Sequence, residues 1–448
     1  MARVETVLDL VLSRNLYAVV NVHHDSWQWA DFSNPTATQS AQFTALWEQI
    51  AKRFKDKSHL LILESLNEPP GSTAEHAEAY NVVNAEFVRI VRGSGGKNTN
   101  RLLTLPGLNT NIQQTVDYFK EPENAQPYIL HVHDYDPWDF VSTSWGRTFW
   151  GTADDKAAIE ATFAAIQTKF AAPALIGEWG LTGRGIDPGY SWIYFDFIVR
   201  TARKYQLATQ LWDNGFDHYD RVAYAWRDPV KPQLIVNAAK GILNALPSYG
   251  QLANLYVPAN DTGLPLEIKL DFNTRTLKKV TTNTDRVLKK GTDYTVSTTG
   301  VTITPAYLKT LNLVAIGLRE TFTLHFNAGV ALPFDLVVYK TPTTTTPSIT
   351  VTDTSAGIVI PVSGNGASLA TVKAIAEDGT LLKDDWTQWL GELQAGRINY
   401  GDYEEVTGGV KLSSGVLEVA RGRGKVSFTL EYWPRGVGND VTVVVEVV

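Results

Sequence analysis

Short apolar runs alternate with longer amphipathic stretches over the first 247 residues, and this alternation predicts a repeated strand–helix unit. Residues 4–14 read as a helix. Strands are predicted at 17–22, 60–66, 101–106, 128–132, 174–176 and 208–211, and helices at 37–54, 73–91, 112–118, 154–170, 191–205 and 232–246. Runs this short and uninterrupted suit parallel strands buried on both faces, because a strand with one wet face would alternate. Polar and aromatic residues gather just after each run, the strand end at which a (β/α)8 barrel carries its functional loops.

Eight strands close such a barrel, and the pattern supplies six. At roughly 30 residues per unit, two further units amount to about 60 residues, expected upstream of residue 1. The predicted fold is therefore multidomain: an α/β (β/α)8 TIM barrel truncated at its N-terminus to about six βα units (1–247), followed by two all-β sandwich modules. An open barrel would leave two sheet edges unpaired and apolar helix faces uncovered. Residues 248–340 carry short strand runs separated by Gly, Pro, Asn and Asp turns, as a small antiparallel sandwich would. The Thr/Pro stretch 341–348 reads as a short, rather stiff linker. Residues 349–448 read as a second sandwich, with no strong helix pattern beyond a turn around 384–390.

Tryptophan follows the same partition. Ten of the 13 Trp precede residue 230, none lies between 230 and 385, and Trp386, Trp389 and Trp433 lie near the C-terminus. The net charge of -7 and pI near 5.7, without any Lys/Arg-rich block, argue against nucleic acid or an anionic membrane and for a neutral ligand. Cysteine is absent, which removes disulfides and thiolate metal sites and leaves the redox compartment open. No apolar run reaches about 18 residues. The first residues hold no signal-peptide core, so the leader of a secreted protein would lie outside this sequence. A monomer without cofactor or metal is expected.

Two apolar runs end in glutamate: Leu63-Glu64-Ser65-Leu66-Asn67-Glu68-Pro69 and Leu175-Ile176-Gly177-Glu178-Trp179-Gly180. Buried carboxylates are costly unless partnered. Glycosidic cleavage needs two of them on rigid elements, one to protonate the leaving oxygen and one acting at the anomeric carbon. With two strands between them, Glu68 and Glu178 would face each other across a barrel mouth. A bland reading stands beside this: Asn67-Glu68 as a helix cap with a favourable acidic residue, and Glu178 as a surface residue in a strained turn. His23 and His24 could each simply bond a carbonyl. Zinc on His23-His24-Asp25 is disfavoured, since adjacent strand residues point to opposite faces. Trp27, Trp29, Trp138, Trp145, Trp150 and Trp179 follow strand ends, where some would stack on sugar faces. Trp47, Trp192 and Trp226 suit packing.

The Asn67-Glu68-Pro69 run resembles the signature of glycoside hydrolase family 5, the large cellulase family. In the same order, Asn21-Val22-His23-His24-Asp25-Ser26-Trp27, His131-Val132-His133-Asp134-Tyr135-Asp136-Pro137-Trp138, Gly177-Glu178-Trp179-Gly180 and Leu211-Trp212-Asp213 are similar to its endoglucanase and xyloglucanase branch. The resemblance spans about residues 1–247. It implies Glu68 as acid/base, Glu178 as nucleophile, and Asn67 as donor to the sugar 2-hydroxyl. It further implies His23 and His133 as active-site hydrogen-bonding residues, Tyr135 as partner of the nucleophile, and Trp212 as stacking platform, with a retaining mechanism. His24, Trp27, Trp138 and Trp179 join them as candidate substrate contacts. The family's Arg near the nucleophile comes from the second barrel strand, for which this chain has no counterpart.

Residues 253–258, 288–294 and 303–308 resemble the X2 immunoglobulin-like module found in cellulases. The 384–389 cluster resembles a family 46 carbohydrate-binding module, which makes Trp386, Trp389 and Trp433 candidate glucan contacts. Two functions follow: a secreted endo-β-1,4-glucanase acting on cellulose, xyloglucan or mixed-linkage glucan, or a non-catalytic glucan-binding protein disabled by loss of two strands. The incomplete barrel leads to an expectation of weak or absent activity. Mannan and xylan backbones are weaker alternatives.

Overall fold

A computed structural model describes residues 1–261, 265–311 and 313–448. One parallel sheet of six strands, in sequential order, runs through the first part: β1 (Ala18–Val20), β2 (Leu61–Glu64), β3 (Leu103–Asn111), β4 (Tyr128–Asp134), β5 (Ala174–Trp179) and β6 (Leu207–Thr209). The predicted six-unit half-barrel is what forms, with β1 and β6 each paired on one side only among the described residues. Every residue of β2 is buried. Leu61, Leu63, Leu103, Leu105, Leu130, Val132 and Ile176 are all fully shielded. Each such side chain contributes about 1.5–3 kcal/mol, and unbroken apolar runs are the sequence consequence of covering both faces.

The intervening helices begin where capping chemistry allows. Helix α1 spans Ala2–Leu12 and α2 spans Ala37–Phe54, the latter opened by a capping box of Thr36 and Gln39. Helix α3 (Ala74–Gly93) starts at Thr73, whose hydroxyl accepts from the His76 amide. Such a cap stabilises a helix by about 1 kcal/mol. Phe43, Trp47, Ile50, Ala51 and Phe54 form the buried stripe of α2, and Trp47 meets Phe87 of α3 edge to face at 4.6 Å. Trp47 also donates to the Ser65 carbonyl at 3.2 Å, so it is core. At the C-terminus of α2, the buried Arg101 guanidinium donates to the carbonyls of Phe54, Lys57, Ser58 and Leu61 and to Asn98. Such a fork satisfies orphan carbonyls that would otherwise be stranded.

Two β-modules follow. In the first, one sheet orders Asn254–Pro258, Leu332–Tyr339, Gly317–Phe326 and Leu277–Thr281, and the other orders Tyr294–Val296, Gly300–Ile303, Leu266–Asp271 and Leu246–Pro247. All pairings are antiparallel except Asn254–Pro258 with Leu332–Tyr339. Its core takes in Trp192, Val230 and Leu234, so this module is packed against helical residues rather than tethered. The second module has a four-stranded sheet (Ser348–Val351, Asp440–Val447, Lys425–Tyr432, Leu369–Ile375) and a three-stranded one (Ile358–Pro361, Gly409–Leu412, Tyr403–Val406). It also contains a helix that the sequence pattern did not announce, Ser414–Ala420, capped by Ser413. The Thr/Pro stretch is bonded to this module: Thr343 pairs with Ser363, and Thr344 donates to the Pro361 carbonyl at 2.6 Å. Among the described residues no helix is long and apolar enough to cross a membrane.

Candidate active site

The ends of β1, β2, β4 and β5 bring a cluster of histidines and carboxylates together. Glu68 follows β2, His133 lies in β4 and Glu178 in β5. His133 Nδ1 is 2.9 Å from Glu68 Oε1 and 3.6 Å from Glu178 Oε2. One oxygen of each carboxylate and the ring nitrogen lie within 4.8 Å of one another. Glu178 has 14% of its side chain exposed and Glu68 31%, so both remain reachable from solvent. The same spacing would suit a divalent cation, but glycosidic cleavage by a carboxyl pair needs none.

Glu68 sits at φ +37°, the left-handed region, directly before Pro69. A non-glycine residue there costs about 1–3 kcal/mol and persists only where surrounding structure enforces it, as happens at functional sites. Proline restricts its predecessor further. Asn67, next to it, is buried, its amide N–H donates to the Val22 carbonyl at 3.0 Å, and both polar atoms of its side chain lack a protein partner.

Beneath this cluster lies a group that the sequence reading passed over. Glu64 is wholly buried and accepts from Asn21 Nδ2 at 2.7 Å, Thr104 Oγ1 at 2.8 Å and His131 Nδ1. Burial alone would raise its pKa, but the adjacent His131 and the bonds from Asn21 and Thr104 hold the carboxyl below its usual range. Asn21 Nδ2 also lies 3.2 Å from His23 Nδ1. Burial, with His24 acting in the same direction, pushes the His23 imidazole below the ordinary histidine range against the pull of Glu178, Glu64 and Glu68. The signal was present in the sequence as a charged residue inside an otherwise apolar strand.

The remaining candidates fall into two groups. His24 is exposed and stacks at a tilt on Trp27, centroids 5.1 Å apart, in a short 3-10 turn spanning His24–Trp27. Trp27 is 51% exposed and Trp212 39%, and the Trp212 amide is held by the Trp179 carbonyl at 2.9 Å. Trp179 itself is 0% exposed, which corrects its assignment as a substrate contact. It follows Glu178 in β5, and successive strand residues face opposite ways.

In the loop after β4, Tyr135 is half-buried and Trp138 exposed, with rings edge to face at 6.4 Å. Of the C-terminal candidates, Trp389 is 83% exposed and Trp386 42%, and Trp386 meets Trp145 edge to face at 4.6 Å. Trp145 also donates to Asp384 at 2.9 Å. Trp433 is a second correction: it is buried, and its Nε1 donates to the Gly185 carbonyl at 2.9 Å, so it anchors packing rather than presenting a face to a sugar.

Residues 1–218 match the profile of cellulase (glycosyl hydrolase family 5), and 256–336 match carbohydrate binding domain X2. Endoglucanase B of Paenibacillus lautus is 31% identical over 408 residues, covering 86% of this chain and 70% of its own length. The chain belongs to glycoside hydrolase family 5. A tri-modular subfamily 4 endo-β-1,4-glucanase of this family from Bacillus licheniformis, solved in complex with cellotetraose, superposes with a TM-score of 0.92 at 33% identity. The alignment covers 100% of this chain and 86% of that one. A xyloglucan-specific endo-β-1,4-glucanase from Bacteroides ovatus is 29% identical over 251 residues, 48% of this chain and 49% of that protein. This family 5 chain joins a parallel α/β half-barrel to an X2 module and a further β-module, a three-part organisation that matches the tri-modular subfamily 4 structure.

Proposed function

We propose that the chain is a secreted, retaining endo-β-1,4-glucanase in which Glu178 attacks the anomeric carbon and Glu68 protonates the departing glycosidic oxygen. The glycosyl–Glu178 ester is then hydrolysed by a water that Glu68 deprotonates. The observation carrying this reading is the approach of the two carboxylates to within 4.8 Å. That closeness fits the short separation of retaining enzymes, about 5–5.5 Å, and not the 6.5–9.5 Å or so that leaves room for an attacking water. His133 orients the pair, and the unpartnered Asn67 amide suits a sugar hydroxyl. Trp212 and Trp27 offer exposed aromatic faces for pyranose rings. Trp386 and Trp389 would hold the polymer on the C-terminal module. The cellotetraose bound by the Bacillus licheniformis enzyme and the xyloglucan specificity of the Bacteroides ovatus enzyme favour a β-1,4-glucan backbone, with or without side chains.

A second reading is glucan binding without cleavage, for which the exposed Trp386 and Trp389 of the C-terminal module offer the contact surface. Reducing-end release from carboxymethylcellulose and xyloglucan, run beside pull-down on insoluble cellulose, separates the two. The catalytic reading expects release that falls about 10²–10⁴-fold or more in Glu68→Gln and Glu178→Gln. Pull-down without release supports the second.

A further inference from the structure

Glu64 is wholly buried, yet two of its three partners, Asn21 and His131, lead to residues that border the carboxylate pair. Its three donors arrive from different parts of the sheet: Asn21 just past β1, Thr104 in β3 and His131 in β4, while Glu64 itself closes β2. A single carboxylate thus ties four neighbouring strands together at the level of the site. From Asn21 the connection continues to His23 Nδ1 at 3.2 Å. From His131 it continues in two directions: the ring lies edge to face with His133 at 5.0 Å, and it rests against Gly177, where a Cβ would overlap Nε2. Gly177 immediately precedes Glu178, and His133 lies between Glu178 and Glu68.

We propose that Glu64 is a positioning residue for the glutamate pair: it fixes the His131 ring, which sets the place of His133 and of the Gly177–Glu178 backbone, and through Asn21 it fixes His23. An ionised carboxylate accepts only, so facing Glu64 makes His131 Nδ1 a donor and thereby fixes which ring nitrogen carries the proton. Charge-assisted bonds of this kind are shorter and more directional than neutral ones. A glutamine in its place would present an NH2 to at least one of the three donors, so the set could be satisfied only by turning the Asn21 amide or by moving the His131 proton to the other ring nitrogen.

The proposal rests on the catalytic reading above, and its test is built so that the two can fail separately. Glu64→Gln keeps the shape and removes the charge. With the wild-type chain active, the expected result is a fall in kcat on the order of 10²-fold, the cost of misplacing reacting groups by about 1 Å. KM should stay within about threefold. The second readout needs no turnover: ¹H–¹⁵N spectra of the histidine rings should show His131 Nδ1 protonated in the wild type, and the His131, His133 and His23 signals displaced in Glu64→Gln. If the wild-type chain hydrolyses nothing, the catalytic reading fails and the ring spectra alone decide the role of Glu64. If Glu64→Gln does not fold, Thr104→Val removes one donor and should shift the same ring signals, with a smaller loss of kcat on the order of 5-fold. Unchanged ring signals, or a variant that loses thermal stability while kcat per folded molecule is kept, would overturn the proposal and leave Glu64 a purely structural buried acid.

Discussion

Gly177→Ala is the perturbation that reads most directly on the packing under the carboxylate pair. The new methyl would occupy the space of the His131 ring, whose other edge is held by the buried Glu64. Ring and methyl cannot both keep their places. Overfilling a tight interior costs about 1–3 kcal/mol. Turning the ring away also removes a donor from a fully buried carboxylate, worth about 1.5–3 kcal/mol more. The substitution should therefore cost about 2.5–6 kcal/mol. In a His131→Ala background the space is already open, and the same methyl should cost about 1 kcal/mol or less, so the pair should show a coupling of about 1.5 kcal/mol or more. Urea unfolding followed by tryptophan fluorescence gives the four stabilities, provided the slopes agree. A cost below about 0.5 kcal/mol, or an equal cost in both backgrounds, would refute the reasoning.

Other consequences are as specific. Burial, aided by Lys231, pushes the His218 imidazole down to about 4, while the unfolded chain titrates near 6.5. Between those values the unfolded state binds the extra proton, so the His218 contribution is complete above about pH 6.5, shrinks as pH falls, and is gone near pH 4. The full loss is about 3 kcal/mol, and in His218→Phe thermal melts across that window should lose most of this dependence. Trp433→Ala, which removes a buried ring and the bond to Gly185, should destabilise by about 3–5 kcal/mol. Trp389→Ala, at an 83% exposed position, should leave the melting temperature in place and weaken retention on insoluble cellulose by about 1 kcal/mol.

What the sequence made legible was local. The predicted bounds of α2 and of the helix Ile112–Tyr118 coincide with the observed ones, because Thr36 with Gln39 and then Asn111 supply caps that can be read from neighbouring residues. Six parallel strands were readable because burial on both faces leaves an unbroken apolar run. The helix Ser414–Ala420 was not, since seven residues beginning Ser-Gly-Val carry little helical preference and are held by packing of Val416, Leu417 and Ala420. Glu68 and Glu178 stood out at strand ends, whereas Glu64 acquires its meaning from Asn21, Thr104 and His131, up to 67 residues away. The burial of Trp179 was within reach, because Glu178 and Trp179 are neighbours in one strand and successive strand residues face opposite ways; the same parity does not hold for His23 and His24, which lie past β1 with their rings 4.8 Å apart. The burial of Trp433 depends on Gly185, 248 residues distant, and no local pattern encodes it.

The account turns on a double displacement at Glu178, and the anomer first released reports it directly. Cellotetraose hydrolysis followed by ¹H NMR from the earliest minutes should show the β-anomer of the new reducing end appearing first, with the α-anomer growing only by mutarotation. The α-anomer appearing first, or no hydrolysis at all, would contradict the central claim.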